Sequence, residues 1–371
     1  MSNVCSYVDK YGFLPFHQLP FGAGDNVALC TVIYMPFEEV VSPDFSAQPM
    51  PFADACRQLF EKRGEEHKPL GLFISKNTSV LMMEMCKRKR YTDMRVAACR
   101  SCLDAEPSMQ FAAMTFLLPT QKLVIVFRGT DDTMEGWAED IDMINSPDGV
   151  PSSKESLSYL QHAAERFPGD IILCGHSKGG YNALYAALHA DASIKQRIIA
   201  VYNNDGPGFS DDSFLHSDAY KELLGKYHHF IPQSSFFGMM LDHDDDYQIV
   251  KSSKPFGALQ HDLLTWKFDG NRLMRAKKKT PESRFNHAFF HALKEEVTDD
   301  EVAAVDEAAR TLMEHADSTR LIDLKNDVAG SLKNTTDAVK SMDKDTKKTI
   351  KTVVKKSFAA AKKAIKDKPE N

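Results

Sequence analysis

Short apolar runs alternate with segments of helical spacing through the middle of the chain. Runs of about four to eight apolar residues, bounded by turn residues, predict strands at 122–127, 171–174, 197–204, 228–232 and 247–252. Apolar residues spaced by three and four predict helices at 135–145, 154–167 and 181–190, and a helix within 209–224. This alternation predicts an α/β fold with a mainly parallel central sheet flanked by helices. In such a sheet, ligand sites lie at the carboxyl ends of the strands.

The segments on either side follow other patterns. The first part predicts helices at 25–34, 51–60 and 78–86 and strands at 95–102 and 110–118, the last forming a hairpin with 122–127. Helices are predicted again at 282–293 and 299–315. From about residue 323 the chain is rich in lysine, and its apolar residues recur every three, four or seven positions. We therefore expect an α/β domain at 1–320 and a lysine-rich, amphipathic helical tail at 321–371.

One strand–helix junction carries the pattern G-x-S-x-G. Gly-His-Ser-Lys-Gly at 175–179 follows the apolar run 171–174 and precedes the helix 181–190. A nucleophile elbow requires this context, because its tight turn lifts a serine hydroxyl above the sheet while the glycines let strand and helix approach closely. Ser177 is therefore the predicted nucleophile.

Composition narrows the class of protein. Of the 371 residues 43% are hydrophobic, which is enough for a large core, and the net charge of −6 gives no reason to expect a nucleic-acid partner. The polar start carries no apolar signal segment, and no apolar run is long enough to span a membrane. The seven cysteines are an odd number and scattered, which is typical of reduced thiols. We expect a cytoplasmic location.

Further motifs accompany the elbow in a fixed order. They are Phe-Arg-Gly-Thr-Asp-Asp at 127–132, Gly-Trp-Ala-Glu-Asp at 136–140, Asn-Asp-Gly-Pro-Gly-Phe at 204–209, Pro-Gln-Ser-Ser at 232–235 and Gln-His-Asp at 260–262. With the elbow, these motifs resemble the lipase class 3 branch of the α/β-hydrolases, and more closely still an uncharacterised bacterial lipase-like family within that superfamily. The resemblance covers about residues 25–270. It implies an α/β-hydrolase fold, Ser177 as the nucleophile and the backbone N–H groups of Thr130 and Lys178 as the oxyanion hole.

A serine nucleophile needs a histidine base, which α/β-hydrolases place after the serine in the chain. Among thirteen histidines, His261 fits best because it follows the last predicted strand in a loop. His228 and His229 lie within a strand. His287 and His291 are four residues apart on a predicted helix, a metal-compatible spacing without an evident third ligand. We therefore expect neither a metal nor an organic cofactor.

The carboxylate that orients the histidine is less determined. Class 3 lipases place an aspartate just after the strand that precedes the histidine strand, where this chain has Ile-Pro-Gln-Ser-Ser at 231–235. Asp242 is the first carboxylate after that strand and is the predicted acid. Asp246, Asp205 and Asp262 are the alternatives.

Two other features near these motifs have structural interpretations. Arg128 and Asp140 are expected to form a buried ion pair that braces the oxyanion turn. The apolar run 236–241 either lines an acyl pocket, acts as a lid, or packs in the core.

Two functions of different classes follow. The first is a serine hydrolase of the esterase or lipase type, acting on a small-molecule or lipid ester. The second is a catalytically weak or inactive α/β-hydrolase scaffold whose basic tail binds a membrane or a partner. The lysine-dense part of that tail, 344–368, either lies on an anionic membrane surface, self-associates, or is a solvated helix. The sequence does not define the substrate or the oligomeric state.

Overall fold

The computed structural model describes residues 2–64, 70, 74–105, 108–131, 133–143, 146–241, 246–255, 257–298, 300–301, 303–305 and 342–366. The elements before the elbow are α1 (Val4–Tyr11), α2 (Ala23–Val32), β1 (Met50–Pro51), α3 (Phe52–Arg63), α4 (Thr78–Met85), α5 (Lys89–Thr92), β2 (Arg95–Ala105), β3 (Ser108–Leu118), β4 (Lys122–Phe127), α6 (Met134–Asp142) and α7 (Pro151–Arg166). The elements from the elbow onward are β5 (Asp170–His176), α8 (Lys178–His189), α9 (Ala192–Arg197), β6 (Ile198–Asn204), α10 (Ser213–His216), α11 (Asp218–Leu223), β7 (Tyr227–Pro232), β8 (Gln248–Val250), α12 (Gly257–Gln260), β9 (Phe268–Asp269), β10 (Arg272–Leu273), α13 (Pro281–Glu296) and α14 (Lys344–Lys366).

The central sheet has eight strands, and their spatial order follows the chain from β1 to β8. β1 to β4 pair antiparallel, and each neighbouring pair from β4 to β8 is parallel. Helices flank this mostly parallel sheet, as predicted. A separate two-stranded antiparallel sheet is formed by β9 and β10. Because β4 to β8 are parallel, their carboxyl ends meet at one edge, where the candidate site lies.

Both faces of the central strands are buried. Along β4, Val124 and Val126 point into a core shared with α1 to α4, while Leu123 and Ile125 point into a second core shared with α7 and α8. Strands covered on both faces read as continuous apolar runs, because neither set of alternating side chains meets water. This burial explains why β4 and β5 (residues 170–176) were predictable from sequence.

The helix predicted within 209–224 is divided into two. The chain forms α10 and α11 instead, and Ser217 separates them in an extended conformation. The Ser217 hydroxyl donates to the Phe214 carbonyl and accepts from the Tyr220 N–H, so it ends one helix and caps the next. Serine favours such local hydrogen bonds over a helix interior.

The described part of the tail is a helix, α14, that packs against α13. Two ion pairs of 2.6 Å join it to the rest of the chain, Lys356 to Glu301 and Lys363 to Glu295. The predicted boundary at 320/321 and most of the predicted helix 299–315 lie outside the described residues. Within the described part, no helix combines the length and apolar character needed to cross a bilayer.

Candidate active site

The site is built on the turn between β5 and α8. Ser177 joins them with φ 56° and ψ −133°, a strained conformation for a residue with a side chain. A Cβ added at Gly175 would lie 1.9 Å from the Gly179 carbonyl oxygen, and one at Gly179 would lie 2.1 Å from the Phe127 oxygen. Only glycine fits at either position, which explains why the G-x-S-x-G pattern has glycine at both ends.

A buried histidine–aspartate pair lies beside this turn. His261 Nδ1 is 2.7 Å from Asp205 Oδ2, and both side chains are almost completely excluded from solvent. The other oxygen, Asp205 Oδ1, accepts from the Ser235 hydroxyl at 2.5 Å and from the Gly238 N–H at 3.2 Å. Since one oxygen is held by these two donors, the other is left to accept the Nδ1–H of His261.

Burial shifts the pKa values of both partners toward the neutral forms. It raises the pKa of the Asp205 carboxyl, an effect that the hydrogen bond from Ser235 opposes. It lowers the pKa of the His261 imidazole. A neutral imidazole with its proton on Nδ1 carries its basic lone pair on Nε2, the atom that acts as the general base.

The other carboxylates weighed as the acid have different positions. Asp242, the predicted acid, lies outside the described residues. Asp246 is exposed, and Asp262 accepts the Leu264 N–H at 2.9 Å as the cap of a short 3₁₀ turn. The carboxylate at Nδ1 of His261 is therefore that of Asp205, which directly follows β6 (residues 198–204) with φ 55°. Its place immediately after a predicted strand made Asp205 a candidate in the sequence, but did not distinguish it from the other carboxylates.

His176, inside the elbow motif, fixes the backbone of His261. Its Nε2 donates to the His261 carbonyl at 2.9 Å, which makes its Nδ1 the acceptor of the Tyr34 hydroxyl at 2.9 Å. The two imidazole rings are 4.3 Å apart between centroids. Burial lowers the pKa of His176 to about 3, so this neutral tautomer is the stable one. Sequence reasoning assigned His176 no such contact.

The turn after β4 lies directly against the elbow. A Cβ added at Gly129 would be 2.9 Å from the Ser177 Cβ, so the next residue, Thr130, is close to the serine. The Thr130 hydroxyl donates to Asp140 Oδ2 at 2.7 Å. Among the described residues, the backbone N–H groups of Thr130 and Lys178 have no hydrogen-bond acceptor. Both are therefore available to an oxyanion.

The expected ion pair between Arg128 and Asp140 is wrong. Arg128 pairs with Asp131 at 2.8 Å, three residues away on the same turn. Asp140 instead accepts from Thr130 and lies 3.8 Å from the ammonium of Lys178. Burial raises the pKa of Asp140 to about 6, while the Lys178 charge acts in the opposite direction.

The side chain of Lys178 is held by a second carboxylate. Its Nζ is 2.7 Å from Glu139 Oε2, and both side chains are buried. Glu139 also accepts the backbone N–H groups of Gln110 and Ser152, at 3.1 and 2.6 Å. This pair ties α6 to the start of α8.

A small cavity opens over the elbow. It has a volume of about 40 Å³, and Ser177, Lys178, Asp140, Phe237 and Leu241 are among its lining residues. The Phe237 ring centroid is 4.3 Å from that of His261. The cavity thus lies between the nucleophile turn and the apolar loop that packs on the histidine.

The histidines with metal-compatible spacing lie elsewhere. His291 is 3.6 Å from Glu295 on α13. In the ranges that the structure describes, no group of three or more His, Cys, Asp or Glu side chains has an arrangement that could hold a metal ion.

Comparison with known proteins places the chain in a family. A family model described as Mbeg1-like matches residues 85–312, a segment that contains Thr130, Ser177, Asp205 and His261. A search of curated proteins gave no match. Because the matched segment spans more than half of the chain, the chain belongs to the Mbeg1-like family, which is a lipase-like family.

Proposed function

We propose that this protein is a serine hydrolase of α/β-hydrolase fold that cleaves carboxylic esters through an acyl-enzyme on Ser177. The observation that carries the proposal is the buried 2.7 Å contact between His261 and Asp205 beside a strained serine turn. Asp205 takes the place of Asp242 as the proposed acid. Buried titratable groups with shifted pKa values beside a candidate nucleophile are typical of active sites.

The geometry supports the following sequence of steps. His261 Nε2 takes the proton of Ser177 Oγ while Oγ bonds to the ester carbonyl carbon. The resulting oxyanion accepts the N–H groups of Thr130 and Lys178. The carbon–oxygen bond to the alcohol then breaks, and the alcohol oxygen takes the proton from His261. Water repeats the attack with His261 as base, releasing the carboxylic acid and restoring Ser177.

Fluorophosphonate labelling tests the proposal. We expect wild-type protein to acquire one covalent adduct that Ser177→Ala abolishes. Ser213→Ala is the matched control, because Ser213 is an exposed serine and its loss should leave labelling unchanged. A folded wild-type protein that stays unlabelled would contradict the hydrolase proposal and favour the inactive scaffold.

We propose a second function for α14, contact with an anionic membrane surface. Phe358 is 68% exposed and Val354 is 48% exposed. The spacing of Lys351, Lys355, Phe358 and Lys362 puts them on one helical face, and these lysines are exposed. Residues 344–366 contain nine lysines and one aspartate. An exposed aromatic among lysines suits an anionic bilayer, where each lysine near the surface contributes about 1 kcal/mol.

Vesicle co-sedimentation tests the membrane contact. The full chain should pellet with phosphatidylserine-containing vesicles and stay in solution with phosphatidylcholine alone. We expect Lys351→Glu/Lys355→Glu to abolish pelleting, while Lys277→Glu/Lys278→Glu, the same charge change at another exposed site, should not. Equal pelleting of both double variants would refute the assignment.

We also propose that the protein works in the cytoplasm. All seven cysteines are free thiols, four of them buried, a state that reducing compartments maintain.

A further inference from the structure

A second, larger cavity lies beside the catalytic one and is apolar. Its volume is about 160 Å³. Ile141 of α6, Phe290 and Leu293 of α13 and Val353 of α14 line it, together with Met240 and Leu241. Lys294 is also part of its lining, and no carboxylate among the described residues is. A cavity of this composition favours an apolar occupant over water.

The two cavities share a wall. Met240 and Leu241 line both the apolar cavity and the cavity that contains Ser177. Leu241 has φ 63°, a left-handed conformation that a branched side chain rarely adopts. The Met240 carbonyl accepts the Gly208 N–H at 3.0 Å, which ties this loop to the segment that follows Asp205. Strained backbone of this kind persists where the surroundings impose it, frequently at ligand sites.

We propose that the apolar cavity binds the acyl chain of the substrate, and that this chain has about six to eight carbons. The inference rests on the proposed hydrolase function and names its substrate class, medium-chain esters. An apolar cavity of about 150 Å³ accommodates a six-carbon ring, so 160 Å³ is enough for the distal part of such a chain. The acyl carbonyl would lie at Ser177 while the chain passes the Met240–Leu241 wall.

The C-terminal helix completes this site. Val353 lines the cavity, whereas the next residue, Val354, is 48% exposed and is not among the lining residues. The ion pairs of Lys356 with Glu301 and of Lys363 with Glu295 hold the helix in place. Residues 344–366 lie outside the segment 85–312 that the family model matches. The limit on acyl-chain length is thus set by a part of this chain beyond the family domain.

The test uses two adjacent valines in the full chain. Val353→Phe fills the cavity, and Val354→Phe adds the same atoms on the exposed face. The measurement is kcat/KM for p-nitrophenyl acetate and p-nitrophenyl octanoate. Each buried methylene contributes about a fourfold factor to binding, so excluding two of them should lower kcat/KM for the octanoate about fifteenfold. Acetate hydrolysis by Val353→Phe, and both reactions of Val354→Phe, should stay within about twofold of wild type.

A binding measurement separates this proposal from the hydrolase proposal. In a Ser177→Ala background, calorimetry with octanoate should detect binding that Val353→Phe weakens by a similar factor. Octanoate binding without any ester hydrolysis would contradict the hydrolase function and leave the cavity assignment intact. Two results for Val353→Phe would overturn the acyl-chain site. One is an equal loss of acetate and octanoate hydrolysis, and the other is an unchanged kcat/KM and affinity for the octanoate.

Discussion

Replacing Asp205 by asparagine exchanges one buried oxygen for an N–H donor at the atom that faces His261. Asparagine tolerates the left-handed φ of 55° at this position, so the backbone should keep its conformation. In the wild type, Asp205 Oδ1 accepts hydrogen bonds from the Ser235 hydroxyl and the Gly238 N–H. The same two donors should hold the amide oxygen of the asparagine at that position. The amide nitrogen must then point at His261 Nδ1.

The consequence is a change of tautomer. An N–H donor at Nδ1 forces the imidazole proton onto Nε2, the atom that must accept the proton of Ser177. The same exchange in a serine protease triad lowers kcat about 10⁴-fold, and we expect a loss of that order here. That factor corresponds to about 5.5 kcal/mol of transition-state stabilisation. KM should change little, because neither Asp205 nor its partners line the cavity that receives the ester.

The assay compares Asp205→Asn with Asp242→Asn for kcat with p-nitrophenyl acetate, with circular dichroism to verify folding. Asp242→Asn is the matched control because it makes the same chemical change at the acid that the sequence favoured. We expect Asp242→Asn to retain wild-type kcat within about twofold, since no triad role is left for it. The role of Asp205 is refuted if Asp205→Asn keeps its activity, or if Asp242→Asn shows the large loss instead.

Three further substitutions test the residues around the His261–Asp205 pair. Thr130→Val removes the hydroxyl that donates to Asp140, so the oxyanion turn loses its anchor; kcat should fall at least about tenfold with KM nearly constant, and an unchanged kcat would exclude a positioning role. The pKa of His176 is lower in the folded chain than the unfolded value of about 6.5, so its stabilising contribution is complete above pH 6.5 and is lost as the pH falls toward about 3. Urea titrations should therefore show that the free energy of unfolding of the wild type falls by about 2 kcal/mol more than that of His176→Asn between pH 6.5 and 5. Parallel dependence of the two free energies on pH would contradict this. Lys178→Met strands the buried Glu139 carboxylate and should lower the free energy of unfolding by about 3 kcal/mol, whereas a loss below about 0.5 kcal/mol would mean that the pair is not buried in solution.

Much of the sheet was predictable because strands that are buried on both faces have continuous apolar sequences. β4 and β5 are buried on both faces, so their apolar runs are continuous and end at glycine-containing turns. The elbow was predictable for a related reason, since any Cβ at Gly175 would lie only 1.9 Å from a backbone oxygen, which leaves glycine as the one residue that fits there. The division of 209–224 at Ser217 was missed, because a serine that caps a helix and one inside a helix look alike in a pattern of apolar spacing.

The acid could not be chosen from the sequence. β6 and β7 are neighbours in the sheet, so the loops that follow them reach the same edge, and either could supply a carboxylate to His261. The decision depends on two donors, Ser235 and Gly238, that come from the loop after β7 and hold the carboxylate of Asp205 from the loop after β6. Such a cross-loop contact has no signature in the spacing of residues. The contact of His176 with Tyr34 is equally remote, since 142 residues separate the two.

The most direct test of the central claim is the detection of the acyl-enzyme itself. The full chain is mixed with p-nitrophenyl acetate, quenched in acid within milliseconds to seconds, and analysed by intact-protein and peptide mass spectrometry. We predict a transient mass increase of one acetyl group, located on the peptide that contains Ser177 and absent from Ser177→Ala. Release of p-nitrophenol by wild-type protein with no acetyl adduct on Ser177, or with the adduct on another residue, would contradict the account.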